Sequence, residues 1–143
     1  MTRKKEREQA FEILYEKSFH PETEMDDILR VNIDNGLIED NKYVNDIVLK
    51  AWDKLFDIDE LIERHSIGWK VKRISKVALA ALRLAICEMF FFHEIPVAVS
   101  INEAVELCKK YGTEEDAPFV NGILGTVARS MAEAAPGKGG EST

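Results

Sequence analysis

Residues 77–92 read VALAALRLAICEMFFF, and only Arg83 and Glu88 in that stretch carry charge. A helix that is apolar almost all the way round is buried on most of its sides. The stretch therefore predicts the central helix of an all-helical bundle. Arg83 and Glu88 are its polar exceptions. Five residues apart, they point in different directions and do not pair with each other. A charge inside a buried helix needs a partner from another element. For Arg83 the expected partner is Glu103 or Glu106, with a contact to another protein as the alternative.

Moving outward, Ser75 is a natural N-cap for the central helix. It follows a short basic turn, Lys70, Lys72 and Arg73, after Gly68 and Trp69. Further upstream, Val44, Ile47, Val48, Ala51, Trp52 and Leu55 recur at helical spacing, and Ile58 and Ile62 keep the same phase. This favours one long helix over about 41–64, although Asp57-x-x-Glu60 allows a break there. Ala10, Phe11, Leu14 and Tyr15 mark a first helix over about 3–19, stopped by His20-Pro21. A second runs from Thr23 and Asp26 to Asn35-Gly36, a C-terminal stop.

Downstream, Pro96 separates the central helix from SINEAVELCKKYG, residues 100–112. Ser100-x-x-Glu103 has the form of a capping box, Ile101, Ala104, Val105 and Cys108 form the apolar stripe, and Gly112 is the expected stop. Asn102 and Glu106 then share the polar face. Val120, Ile123, Leu124, Val127 and Met131 define a last helix, capped by Asp116 with Pro118 in its first turn. The expectation is an all-α domain over 1–135, about seven helices in two packed sub-bundles, followed by a disordered polar tail, 136–143.

Composition narrows the function. The chain has 143 residues, of which 45% are hydrophobic and 31% charged, and its net charge is −7. No run is apolar enough to span a membrane, and the N-terminus lacks the h-region of a signal peptide, so a cytoplasmic location is expected. Cys87 and Cys108 fall in apolar stripes and read as reduced core thiols. With no CxxC, and with His20, His65 and His93 far apart, neither a metal nor another cofactor is expected. There is no nucleophile elbow, phosphate loop or dinucleotide fingerprint. An enzyme would need a cleft gathering Glu103, Glu106, Arg83 and a histidine. The acidic total argues against a generally basic surface, but Arg3, Lys4, Lys5 and Arg7 cluster at one end. Cations on a helix's first turn oppose its dipole and need another reason to be there. Phosphate is one such reason, with a frayed solvated end as the alternative, and Tyr15 offers either a stacking face nearby or a core ring.

Taken together, RKKEREQAFEILY (3–15), ALRLAICEM (81–89), IPVAVSINEAVELCKKYG (95–112) and FVNGILG (119–125) occur in an ordered set. The chain resembles the transcription antitermination factor NusB family over roughly residues 3–130. The resemblance implies a non-catalytic factor that binds the boxA element of ribosomal RNA transcripts. It implies a heterodimer with a small-subunit ribosomal protein, NusE, within a complex of RNA polymerase and other Nus factors. The family's basic RNA-contacting segment falls on Arg3, Lys4, Lys5 and Arg7, its tyrosine on Tyr15, and its RNA-proximal phenylalanine on Phe119. Asn102 and Glu103 are implied to be structural. Glu6 interrupts the basic run, lysine replaces arginine twice, Ala78 and Leu79 stand where relatives often carry charge, and Cys87 replaces a common aromatic. The same fold precedes the catalytic domain of a ribosomal RNA cytosine methyltransferase, but a chain of this length is expected to be the freestanding factor. The alternative is a protein-interaction bundle, perhaps a homodimer, with weak RNA affinity of its own.

Overall fold

The computed structural model describes residues 1–134, so the expected tail, 136–143, lies outside the described residues. Among these there are seven α-helices and no strand: α1 (Arg3–Phe19), α2 (Met25–Asp34), α3 (Lys42–Asp53), α4 (Leu55–His65), α5 (Lys76–Phe91), α6 (Val97–Tyr111) and α7 (Asp116–Ala134). A single 3-10 turn, Val71–Arg73, precedes α5. The all-α expectation holds, and so does the division into two sub-bundles. Helices α1, α2 and α3 pack on one another, α4 to α7 form the second group, and α5 touches α1, α3, α4, α6 and α7. Ala80, Ala81, Leu82, Leu84, Ala85, Ile86 and Met89 of α5 are all buried.

Local chemistry sets the helix ends. Thr2 accepts the Lys5 N–H and Asn41 accepts the Val44 N–H. Ser75 accepts the Ala78 N–H, as its sequence position predicts. Gly36, at φ +74°, is the left-handed residue that closes α2. Gly112 stops α6 differently, at φ −108°. Glycine is needed there for space, because a Cβ would lie 2.9 Å from the Cys108 carbonyl oxygen and strike the Asp116 carboxylate.

Three expectations are corrected. The long helix over 41–64 is two helices that break at Lys54, whose φ of −103° and ψ of 20° leave the helical well. Ile58 and Ile62 keep the earlier phase because α4 also turns them into the core. Second, Ser100 is not a cap. Pro96 is extended and α6 begins at Val97, so Ser100 lies inside the helix and is 2% exposed. The fully buried stripe is Ser100, Ala104, Leu107 and Cys108, with Ile101 and Val105 only half-buried at its edge. Third, Arg83 pairs with neither Glu103 nor Glu106. Its Nε and Nη2 donate to Asp59 of α4 at 2.9 and 2.8 Å. Asp116 also differs from a simple N-cap, since its carboxylate accepts from the Thr113 N–H and the Ser75 hydroxyl.

Glu88 occupies the centre of the molecule. Its carboxylate accepts from Arg7 Nε at 2.8 Å, Ser100 Oγ at 2.7 Å and the Tyr43 hydroxyl. Helices α1, α3, α5 and α6 thus converge on one buried anion. Burial, reinforced by the Glu88 charge, pushes the Tyr43 phenol well above its ordinary pKa.

Candidate nucleic-acid interface

The outer face of α1 lies beside α6 and combines cations, carboxylates and aromatic rings. Its first turn exposes Arg3, Lys4 and Lys5, but none is free of a counter-charge. Arg3 Nε pairs with Glu6 at 2.8 Å, Lys4 Nζ with Glu103 at 3.6 Å and Lys5 Nζ with Glu8 at 3.6 Å. Arg3 also lies 4.4 Å over the Tyr43 ring. Lys110 donates to Glu8 at 2.9 Å, and this hydrogen bond is the main reason the Glu8 carboxyl sits below its usual range. The Glu6 carboxyl is held down chiefly by the Asn41 side chain.

Arg7 belongs elsewhere. It is 6% exposed and its guanidinium is committed to Glu88. The structure thus separates the four basic residues of the N-terminal run into three outward cations and one interior one.

Along the same helix runs a ladder of rings. Tyr111 of α6 stacks on Phe11 at 5.0 Å, and Phe11 on Tyr15 at 6.2 Å. Phe19 meets Tyr15 edge-on at 5.0 Å. Tyr15, Phe19 and Tyr111 are all exposed. Lys76, at the start of α5, lies 5.7 Å over the Phe19 ring. Tyr111 and Lys76 escape a reading of α1 alone because they come from α6 and α5, whereas Phe19 closes α1 itself.

Phe119 is not on this ladder. It meets Trp69 edge-to-face at 6.2 Å. The two rings line a groove of about 380 Å³ together with Arg73, Ile74, Ala78 and Glu115. The groove is linked to the ladder through the start of α5, where Ser75 bonds Asp116 and Lys76 covers Phe19. In the sequence Trp69 marks only the approach to the basic turn, because a lone tryptophan beside glycine carries no periodic signal.

The residues an enzyme would require are not gathered. Arg83 is held by Asp59, Glu103 by Lys4 and Glu106 by Lys109. Among the described residues no group of three metal-ligating side chains is present, and no helix is long and apolar enough to cross a membrane. Asn102 is exposed on the polar face of α6. Cys87 and Cys108 are free and buried, and burial raises both thiols to about 12.

The NusB family model matches residues 4–129. This chain belongs to the NusB family. Transcription antitermination protein NusB of Agathobacter rectalis is 41% identical over 131 residues, covering 90% of this chain and all of the relative. The protein of the same name from Carboxydothermus hydrogenoformans is 42% identical, with 93% and 96% of the two chains covered. Among solved structures, Thermotoga maritima NusB superposes with a TM-score of 0.81 at 35% identity, covering 90% and 92% of the two chains. A crystal structure of antitermination factors NusB and NusE in complex with double-stranded RNA contains a chain with a TM-score of 0.78 at 27% identity, covering 91% and 99%. The function of this NusB-family chain is transcription antitermination.

Proposed function

We propose that this NusB-family protein binds the boxA RNA of ribosomal RNA transcripts jointly with the ribosomal protein NusE. With RNA polymerase and other Nus factors, in the cytoplasm, it then suppresses premature termination. It acts by binding alone, without catalysis or a cofactor, and residues 1–135 work as one domain. The observation that carries the reading is the exposed ring ladder of α1 and α6 beside outward cations. Rings stack on unpaired bases of any identity, and a chain that exposes Tyr15 and Phe19 at the surface forgoes burying them. Lys4 and Lys5 have exposed side chains whose ion pairs are long, 3.6 Å each, and such surface pairs are worth about 0–1 kcal/mol, so a phosphate can draw either lysine from its carboxylate. Arg3, Lys4, Lys5, Tyr15 and Phe119 are assigned RNA contact. Arg7 serves the site by fixing α1.

The neutralised first turn supports a second reading, a self-associating bundle whose α1 face is covered by another copy. An anisotropy titration of labelled boxA RNA, with and without NusE, separates the two. Binding that tightens with NusE and weakens in Tyr15→Ala/Phe119→Ala supports the RNA reading. A dimer that persists by light scattering in the presence of RNA and NusE supports the second.

A further inference from the structure

The basic turn that precedes the central helix has no part in the reading above, yet it carries Lys70, Lys72 and Arg73 within four residues. Lys70 has only Glu63, at 4.0 Å. Lys72 and Arg73 are exposed and make no ion pair among the described residues. The contrast with Arg3, Lys4 and Lys5, each already facing a carboxylate, is direct. A phosphate approaching α1 must compete with Glu6, Glu8 and Glu103 for their cations, whereas Lys72 and Arg73 are paired with neither Glu63 of α4 nor Glu115 of the groove rim.

Aromatic surface lies beside these cations. Trp69 is 49% exposed and lines the groove beside Phe119. The turn that carries it is held in an uncommon shape. Ile67 has φ +48° and is 91% exposed, a costly conformation for a β-branched residue. Ser66 Oγ donates to the Trp69 carbonyl at 2.7 Å, and Glu63 accepts the Val71 N–H at 2.9 Å. Trp69 is thereby presented by a pinned backbone. The one free carboxylate on the groove rim, Glu115, repels phosphate at the α7 end and leaves the turn as the favourable side.

We infer that Lys72 and Arg73 are the principal phosphate-binding residues of this chain, and that Trp69 stacks on an adjoining unpaired base of the same single-stranded RNA. This rests on the RNA reading but moves its electrostatic centre from the N-terminus of α1 to the turn before α5. Lys76 over Phe19 joins the two segments, so that the strand runs from the α1 ladder across the start of α5 to the Trp69–Phe119 groove.

The test uses the full chain, NusE and fluorescein-labelled single-stranded RNA carrying boxA, titrated over a range of salt. Lys72→Gln/Arg73→Gln should weaken binding at least about tenfold and reduce the slope of log affinity against log salt by about 1.4, two cations at about 0.7 each. Arg3→Gln/Lys4→Gln/Lys5→Gln should reduce the slope less. RNA should quench wild-type tryptophan fluorescence, and Trp69→Phe should abolish the quench while Trp52 remains. All substituted side chains are at least half-exposed or on the surface, and circular dichroism melts confirm folding. If the N-terminal variant alone flattens the slope, the inference is overturned and the RNA reading stands. If Lys72→Gln/Arg73→Gln loses NusE but keeps RNA, the turn is a protein contact and the inference is likewise overturned. If the wild type binds no RNA with or without NusE, both fall.

Discussion

Substituting Arg7 by methionine separates a structural role from a phosphate contact. Arg7 is 6% and Glu88 1% exposed, and they meet at 2.8 Å. Methionine fills much of the volume but leaves a buried carboxylate without its counter-charge. Removing one partner of a buried pair costs about 3–5 kcal/mol. The hydroxyls of Tyr43 and Ser100 still donate to Glu88, which places the expected loss near the lower end, about 3 kcal/mol. For a domain of this size each kcal/mol lowers Tm by about 3–4 °C, so a drop of about 10 °C is expected in a calorimetric scan. Lys5→Met, on a side chain 61% exposed, should change stability by no more than about 0.5 kcal/mol. In the RNA titration Arg7→Met should leave the salt slope intact wherever the variant is folded. A Tm within about 2 °C of the wild type together with a slope reduced by about 0.7 would refute the assignment, because it would mean that Arg7 faces phosphate rather than Glu88.

Other perturbations follow from the same geometry. Gly112→Ala should cost about 1–3 kcal/mol in a urea melt, since the new methyl meets a carboxylate already tied to Ser75 and Thr113. Gly122→Ala, with no neighbour within 4 Å inside α7, should instead stabilise by about 0.5–1 kcal/mol. Acid should destabilise the fold. The folded pKa values of Glu6 and Glu8 lie below their ordinary ones, so their contribution is present above about pH 4.5 and is lost as pH falls through the depressed values. His65, lowered by burial and then by Arg64, resists protonation when folded, so stability should begin to fall below about pH 6.5. Melts of His65→Asn should lack that first step. Native Cys87 and Cys108 should resist a thiol-alkylating reagent at pH 8 and react only on unfolding, because burial holds both thiolates out of reach.

Much of this fold is legible because burial writes itself as periodicity. Residues 77–92 declare α5 through the near absence of charge, and Ser75 declares its start. Where expectation and structure part, two local rules competed. At Lys54 the apolar phase runs on across a break, since α3 and α4 both face the core and periodicity does not register a change of axis. At Ser100 a valid capping-box pattern lost to Pro96, which starts the helix four residues earlier. The signal for the true arrangement was the spacing of Ser100, Ala104, Leu107 and Cys108, together with the need of Glu88 for donors. The candidate site divides in the same way. Tyr15 is found from α1 alone, whereas the burial of Arg7, the pairing of Trp69 with Phe119 and the position of Lys76 depend on which helices meet, and no single segment encodes that.

The convergence on Glu88 also governs what the surface is free to become. Advancing α1 by one residue rotates it by about 100°. That would swing Arg7 off the carboxylate and carry the outward rings round the bundle with it. The interior contact therefore acts as a key that indexes the helix, and the rings are aimed from within. Cations on the exposed turn can then be exchanged or interrupted, as Glu6 interrupts them here, without altering the bearing of Tyr15. A lineage can drift in surface charge while keeping its aim, provided the buried Arg7 stays in place.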